Sequence, residues 1–271
     1  MSQIAEGRVH KVGFITPPAW FDISPTEFLG LAPADVIVTQ TLMRPPQFDY
    51  APESIRAAVP ELLECARSLA AAGADVIGQF GFPFSFAHGW EGAQAVRRRI
   101  EDEAEVPFVM MGVQVVHALR ALDCASVVVA STYYSHRMET LLTSYLREAG
   151  IEVAHIENWQ SQGIVDASNG GVFVGQGELD PMGWKTPGWA VAEAVRHVAA
   201  HSSIGSCILV TGGGMRLLHI VASLERELDR TIVAGDLSLY WGILRRLGHS
   251  SPVTNHGKLL AGLGESNSLQ P

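Results

Sequence analysis

Positive charge is scarce in this sequence: 19 Lys and Arg stand against 28 Asp and Glu, a formal balance of -9. Phosphate backbones and anionic bilayers repel such a chain, which argues against nucleic acid or a membrane as partner. An anionic ligand must then be held by local donors. Long apolar runs are also missing, since none approaches the roughly 20 residues of a membrane helix. The opening Met-Ser-Gln-Ile-Ala-Glu-Gly-Arg has no signal-peptide core, so the expected location is the cytoplasm. Cysteine is confined to Cys65, Cys124 and Cys207, each isolated in apolar or helical surroundings. That suits reduced core thiols better than disulfides or metal ligands. No zinc-type spacing occurs, and the 10 histidines form no HExxH-like motif, so no metal is expected.

What is present is a core-forming chain. With 47% hydrophobic and 17% charged residues over 271 positions, it suits one large domain or two small ones. Strand-like apolar runs at 12–16, 35–39, 75–80, 106–110, 125–130, 151–156, 207–211 and 231–235 alternate with helical periodicity at 52–72, 90–103, 113–122, 135–149, 191–200, 216–229 and 237–247. Only a loop is expected between Pro18 and Asp35. This cadence implies parallel strands with right-handed crossovers, hence an α/β fold of two pseudo-symmetric Rossmann-like halves with the active site between them. The first half spans 1–120 and the second 121–236, with a helix at 237–260 packing back on the first. The Gly/Pro-rich stretch 169–187 is too long for an ordinary connection and reads as a lid, an oligomer contact or a passive insertion. Residues 261–271 read as a flexible tail.

Parallel sheets bind ligands outside the carboxyl ends of their strands. Thr16-Pro17-Pro18, Gly81-Phe82-Pro83, Ser131-Thr132-Tyr133, Thr211-Gly212-Gly213-Gly214 and Asp236 should therefore converge on one cleft. The triple glycine offers backbone amides at a helix start, where a carboxylate or phosphate is the natural guest; the same glycines also serve a turn that binds nothing. Titratable candidates near these exits are His88, Tyr133 and Asp236, with His219 less well placed. His88 also reads as a surface or capping histidine, and Asp236 as an N-cap. Trp20, Phe80, Phe82, Phe84, Phe86 and Trp184 form either an aromatic wall for a bulky substrate or ordinary core.

At these exits the chain resembles the aspartate/glutamate racemase superfamily, most of all its arylmalonate decarboxylase and maleate isomerase branch. The resemblance rests on Val12-Gly13-Phe14-Ile15-Thr16-Pro17-Pro18-Ala19, on 81–89, on 106–133 and on Ile208-Leu209-Val210-Thr211-Gly212-Gly213 with Tyr240-Trp241. It implies small carboxylic acid or carbonyl substrates, no metal or organic cofactor, and a monomer or simple homo-oligomer. It also implies a carboxylate held by main-chain amides and hydroxyls, with Tyr133 matching a family tyrosine. Racemases and isomerases of the superfamily set two cysteines across the cleft, and the decarboxylases keep the second; here both positions are glycine, Gly81 and Gly212. Cys207 lies five residues before Gly212, about 16 Å away along a strand, and cannot substitute. Phe82 and Pro83 replace hydroxyl residues. The expected activity is lyase chemistry, decarboxylation ahead of isomerisation, through an enolate held by amides near Gly212 and by the Tyr133 hydroxyl. A hydrolase or hydratase using His88 or Asp236, a cis-trans isomerase and a non-catalytic small-molecule binder are the alternatives.

Overall fold

The computed structural model describes residues 9–18, 22–131, 135–163, 188–201 and 207–264. β1 (His10–Thr16), β2 (Val36–Leu42), β3 (Val76–Gln79) and β4 (Phe108–Met110) form one sheet in the order β2-β1-β3-β4. β5 (Ser126–Ala130), β6 (Glu152–Glu157), β7 (Cys207–Val210) and β8 (Thr231–Ala234) form a second in the order β6-β5-β7-β8. Every pairing is parallel. The two orders are the same when each sheet is counted from its own first strand, which is the pseudo-symmetry expected. Central runs such as Val127-Val128-Val129 and Ile208-Leu209-Val210 are almost wholly buried, as strands covered on both faces must be.

The helices are α1 (Ser24–Leu31), α2 (Pro52–Ala57), α3 (Val59–Ala71), α4 (Pro83–Phe86), α5 (Gly89–Ala104), α6 (Met111–Ala121), α7 (His136–Glu148), α8 (Gly188–His201), α9 (Val221–Leu228), α10 (Gly235–Arg246) and α11 (Gly257–Ala261). Among the described residues none is long and apolar enough to cross a membrane. α6 and α10 pack on each other between the sheets. A Cβ on Gly242 would fall 2.7 Å from Gln114 of α6, so α10 approaches closely only because that side chain is missing. α10 also presses on the first sheet: a Cβ on Gly78 of β3 would lie 2.7 Å from Ile243 Cδ1, and the Tyr240 ring sits 5.6 Å from Phe28 and 6.4 Å from Phe80.

Several local expectations change. The stretch expected as a loop contains α1: Asp22 Oδ1 accepts from Ser24 N at 2.9 Å, Pro25 fits the first turn, and Phe28 is fully buried against Phe14 at 5.4 Å. The helix expected over 52–72 is two, because Pro60 cannot donate inside a continuous helix and instead opens α3. The loop at 81–89 holds the short α4, and 216–229 divides into a 3-10 turn at Leu217–His219 followed by α9. The helix expected over 237–260 is also two, and the second, α11, lies on β8 and α9: Lys258 N donates to Glu225 Oε2 at 2.8 Å. Within the stretch expected as a tail, Ala261 closes α11 and Leu263 is buried.

The cysteine expectation fails for two of the three. Cys124 and Cys207 are joined as a disulfide, with Cα atoms 5.9 Å apart. Cys124 lies just before β5, and Cys207 opens the neighbouring β7 in register with Val127. Parallel pairing therefore brings together residues 83 apart in sequence. Cys65 is free and buried, and desolvation pushes its thiol up to about 11.

The seat of α10 on β3 is testable. Gly78→Ala should overpack that contact by about 1–3 kcal/mol and lower the melting midpoint. Adding Ile243→Val deletes the methyl that clashes, so the double variant should recover part of the loss in a thermal melt. Equal or additive destabilisation in the double variant would contradict this packing.

Candidate active site

Equivalent strand exits carry equivalent turns. Gly81 after β3 has φ +103° and Gly212 after β7 has φ +99°, values that side-chain-bearing residues rarely adopt. The N-terminus of α6 joins the two exits. Gly112 packs on Ser85 and Phe82, and its N–H donates to Ser85 Oγ at 3.1 Å. Next to it, Met111 Sδ lies 3.0 Å, and Gly212 O 3.2 Å, from where a Cβ on Gly235 would stand. Gly235 thus lets β8 close down on the glycine turn and delivers Asp236 beneath it.

Asp236 is 3% exposed, and its Oδ2 accepts from Met215 N at 3.2 Å. It is not the N-cap of α10, a place taken by Ala234, but lies in the first turn with its carboxyl aimed at the glycines. Its Oδ1 lies 3.8 Å, and Asp22 Oδ2 3.4 Å, from the Cβ position of Gly213, so carboxyls from both halves flank the turn. Burial drives the Asp236 carboxyl well above the ordinary carboxylate range, and the charges of Asp22 and Glu27 drive it further, against hydrogen bonds from the N–H groups of Met215 and Gly214. The turn does hold a carboxyl group, and it is the protein's own.

Glu27 of α1 completes the cluster. Desolvation raises its pKa to about 7, opposed by a hydrogen bond from Tyr240 and by Arg216, and assisted by Asp22. The Tyr240 hydroxyl, itself fully buried, donates to Ser24 O at 3.0 Å and reaches Glu27 Oε2 at 3.4 Å. Asp22 accepts from Ser24 N at 2.9 Å and from Ser24 Oγ at 2.5 Å. One exposed cation, Arg216, stands at the end of the turn with φ +55°. From the sequence, Asp22, Glu27 and Arg216 carry no expected role, and Tyr240 enters only through the resemblance. The available signal was the Asp22-x-Ser24-Pro25 helix start, which places Glu27 on a helix that faces the core.

The other expected residues separate. Pro17 Cγ lies 3.1 Å from the Cβ position of Gly81, and Pro18 O accepts from the Tyr50 hydroxyl at 2.6 Å. The Phe82 ring is buried against Phe86 and Tyr145 at 5.6 and 6.1 Å, and Phe80, Phe84 and Phe86 are buried too, so these four are core aromatics. Pro83 opens α4 and is buried. Thr211 is buried with its Oγ1 3.5 Å from Ala130 O. His88 precedes α5 without a capping bond; burial and Arg56 lower its pKa, and the carboxyl cluster is not among the charges acting on it. Thr132, Tyr133, Trp20, Trp184 and the stretch 169–187 lie outside the described residues.

Comparison with known proteins bears on the fold and the family. A family model described as arylmalonate decarboxylase matches residues 12–260. The arylmalonate decarboxylase of Bordetella bronchiseptica is 22% identical over 249 residues, covering 88% of this chain and 90% of its own. The crystal structure of a double mutant of arylmalonate decarboxylase in its liganded form superposes with a TM-score of 0.79 at 20% identity, over 93% of this chain and 98% of that one. The maleate isomerase of Pseudomonas putida gives 0.74 at 20% identity, over 94% and 99%. With nearly its whole length matched by the family model and its two parallel sheets shared with these structures, the chain belongs to the arylmalonate decarboxylase family.

Proposed function

We propose that this protein is a cofactor-independent lyase that decarboxylates a small substituted malonate-type acid, and that carboxyl groups supply the proton for which relatives use a thiol. The feature that carries this reading is Asp236, a carboxyl buried beside Gly213 and driven by that burial well above the ordinary carboxylate range. A carboxylic acid kept neutral by burial and by neighbouring carboxylates is a proton donor at neutral pH. The C–C bond to the departing CO2 breaks, and its electron pair passes into an enolate. The charge of Arg216 stabilises that anion. Asp236 delivers its proton to the α-carbon. The resulting carboxylate takes a proton back through Glu27, whose pKa of about 7 lets it exchange with water at working pH. Tyr133 enters as a phenol donor to the substrate on the resemblance alone.

Incubation with aryl- and alkyl-substituted malonates in deuterated water should release CO2 and leave one deuterium on the α-carbon. Asp236→Asn keeps the side chain's shape and should lower kcat about 10²–10⁴-fold, the usual range for loss of a general acid. Uptake of oxygen-18 from labelled water without C–C cleavage would instead establish a hydratase or hydrolase.

The raised acid also leaves a mark on stability. Glu27 titrates at about 7 when folded against an ordinary 4.5. Between these values the folded chain keeps a proton that the unfolded chain has released, so stability falls as pH rises through this window and the loss is complete above it. Glu27→Gln should therefore melt above the parent protein at about pH 8, with the advantage vanishing near pH 4. An advantage independent of pH would assign Glu27 an ordinary pKa.

A further inference from the structure

A second constellation lies away from the cleft, on the outer edge of the second sheet. His155 and Glu157 are two apart on the edge strand β6 and so share a face. His197 and His201 are one helical turn apart on α8, which packs on β6. Neither pair is a motif by itself, and some 40 residues separate them in sequence. In space, ligand atoms of Glu157, His197 and His201 all lie within 4.8 Å of one another. The His197 and His201 rings are stacked at 4.4 Å, and the His155 ring stacks on His201 at 5.9 Å.

The hydrogen bonds orient these groups. His201 Nδ1 meets the carbonyl of His197 at 2.8 Å and must donate to it, which leaves the Nε2 lone pair of the neutral ring available. His155 Nε2 holds Glu157 Oε1 at 2.9 Å. The other carboxylate oxygen, Oε2, stands 2.8 Å from His197 Nε2 yet accepts no hydrogen bond, although it is buried. A buried carboxylate oxygen without a hydrogen bond, facing imidazole nitrogens, is an unpartnered polar atom that a metal ion would satisfy.

The geometry points to a divalent transition-metal site of the zinc class, ligated by Glu157 Oε2, His197 Nε2 and His201 Nε2, with His155 as the positioning residue that steadies the carboxylate through Oε1. Imidazole and carboxylate donors suit zinc and its neighbours rather than calcium or magnesium. Ligand atoms of a tetrahedral zinc site lie roughly 3.3 Å apart, so small side-chain rotations close the arrangement. His201 is exposed, which keeps the remaining coordination position open to water. At the end of β6, Glu157 O accepts from Ser131 N, at the exit of β5, at 2.8 Å, which fixes the backbone of the proposed ligand.

Zinc chloride titrated into the untagged, chelator-stripped full chain should bind at about one equivalent and raise the melting midpoint. His197→Asn and His201→Asn should each weaken binding at least about tenfold, and His155→Gln by about 10–100-fold, as loss of an outer partner does. Because His201 is exposed, its variant should melt like the parent without metal, so weaker binding cannot be ascribed to misfolding. X-ray absorption should show nitrogen and oxygen neighbours at about 2.0–2.1 Å with imidazole scattering. No retained zinc, equal affinity in parent and variants, or a sulfur shell would each overturn the assignment.

Discussion

The close contact of α6 with α10 is the constraint on which the site depends. A helix that follows the last strand of the second sheet lies against the first, and it does so because glycine stands at each point of closest approach. Gly242 admits Gln114, Gly78 admits Ile243, and Gly235 admits Met111 and the carbonyl of Gly212. Any side chain at these points would lift α10, and Asp236 would withdraw from the turn with it. The same packing removes Asp236 and Tyr240 from water, and that desolvation is the first cause of their raised pKa values. Packing, carboxyl chemistry and the meeting of the two halves follow from one interlock.

The two equivalent strand exits both carry glycine, Gly81 and Gly212. These glycines are fixed by backbone as well as by chemistry: φ is about +100° at both exits, where a cysteine would be strained. The acids that gather nearby come from different places in the chain, Asp22 from just before α1, Glu27 from α1 and Asp236 from α10. The charges of Asp22 and Glu27 help to raise the Asp236 carboxyl, and those of Asp236, Glu27 and Asp22 help to raise the Tyr240 hydroxyl. Arg216 is the compensating charge, held at the mouth by the turn that Asp236 braces.

The architecture was legible because buried parallel strands announce themselves as apolar runs between helical periods. The carboxyl cluster was legible only in part. Asp236 follows a strand exit and was visible, but its depth was not, since a first-turn aspartate reads the same whether it caps a helix in water or lies beneath a neighbouring loop. Glu27 was hidden because Pro25 and Gly30 obscure the short helix that carries it. The disulfide between Cys124 and Cys207 and the meeting of His155 with His201 depend on strand and helix neighbours remote in sequence, which no local pattern encodes. Phe82, Phe84 and Phe86 read equally as a pocket wall or as core, and only the fold, which buries all three, decides for core.

The central claim is that a neutral carboxylic acid waits beside the glycine turn at physiological pH. Carbon-13 NMR titration of the labelled side-chain carboxyls tests it most directly. Glu27 should titrate with a midpoint near 7, and Asp236 should still be protonated at that pH, its resonance identified by its loss in Asp236→Asn. If both groups ionise in the ordinary carboxylate range near 4, the cluster is a set of structural anions and cannot stand in for the missing thiol.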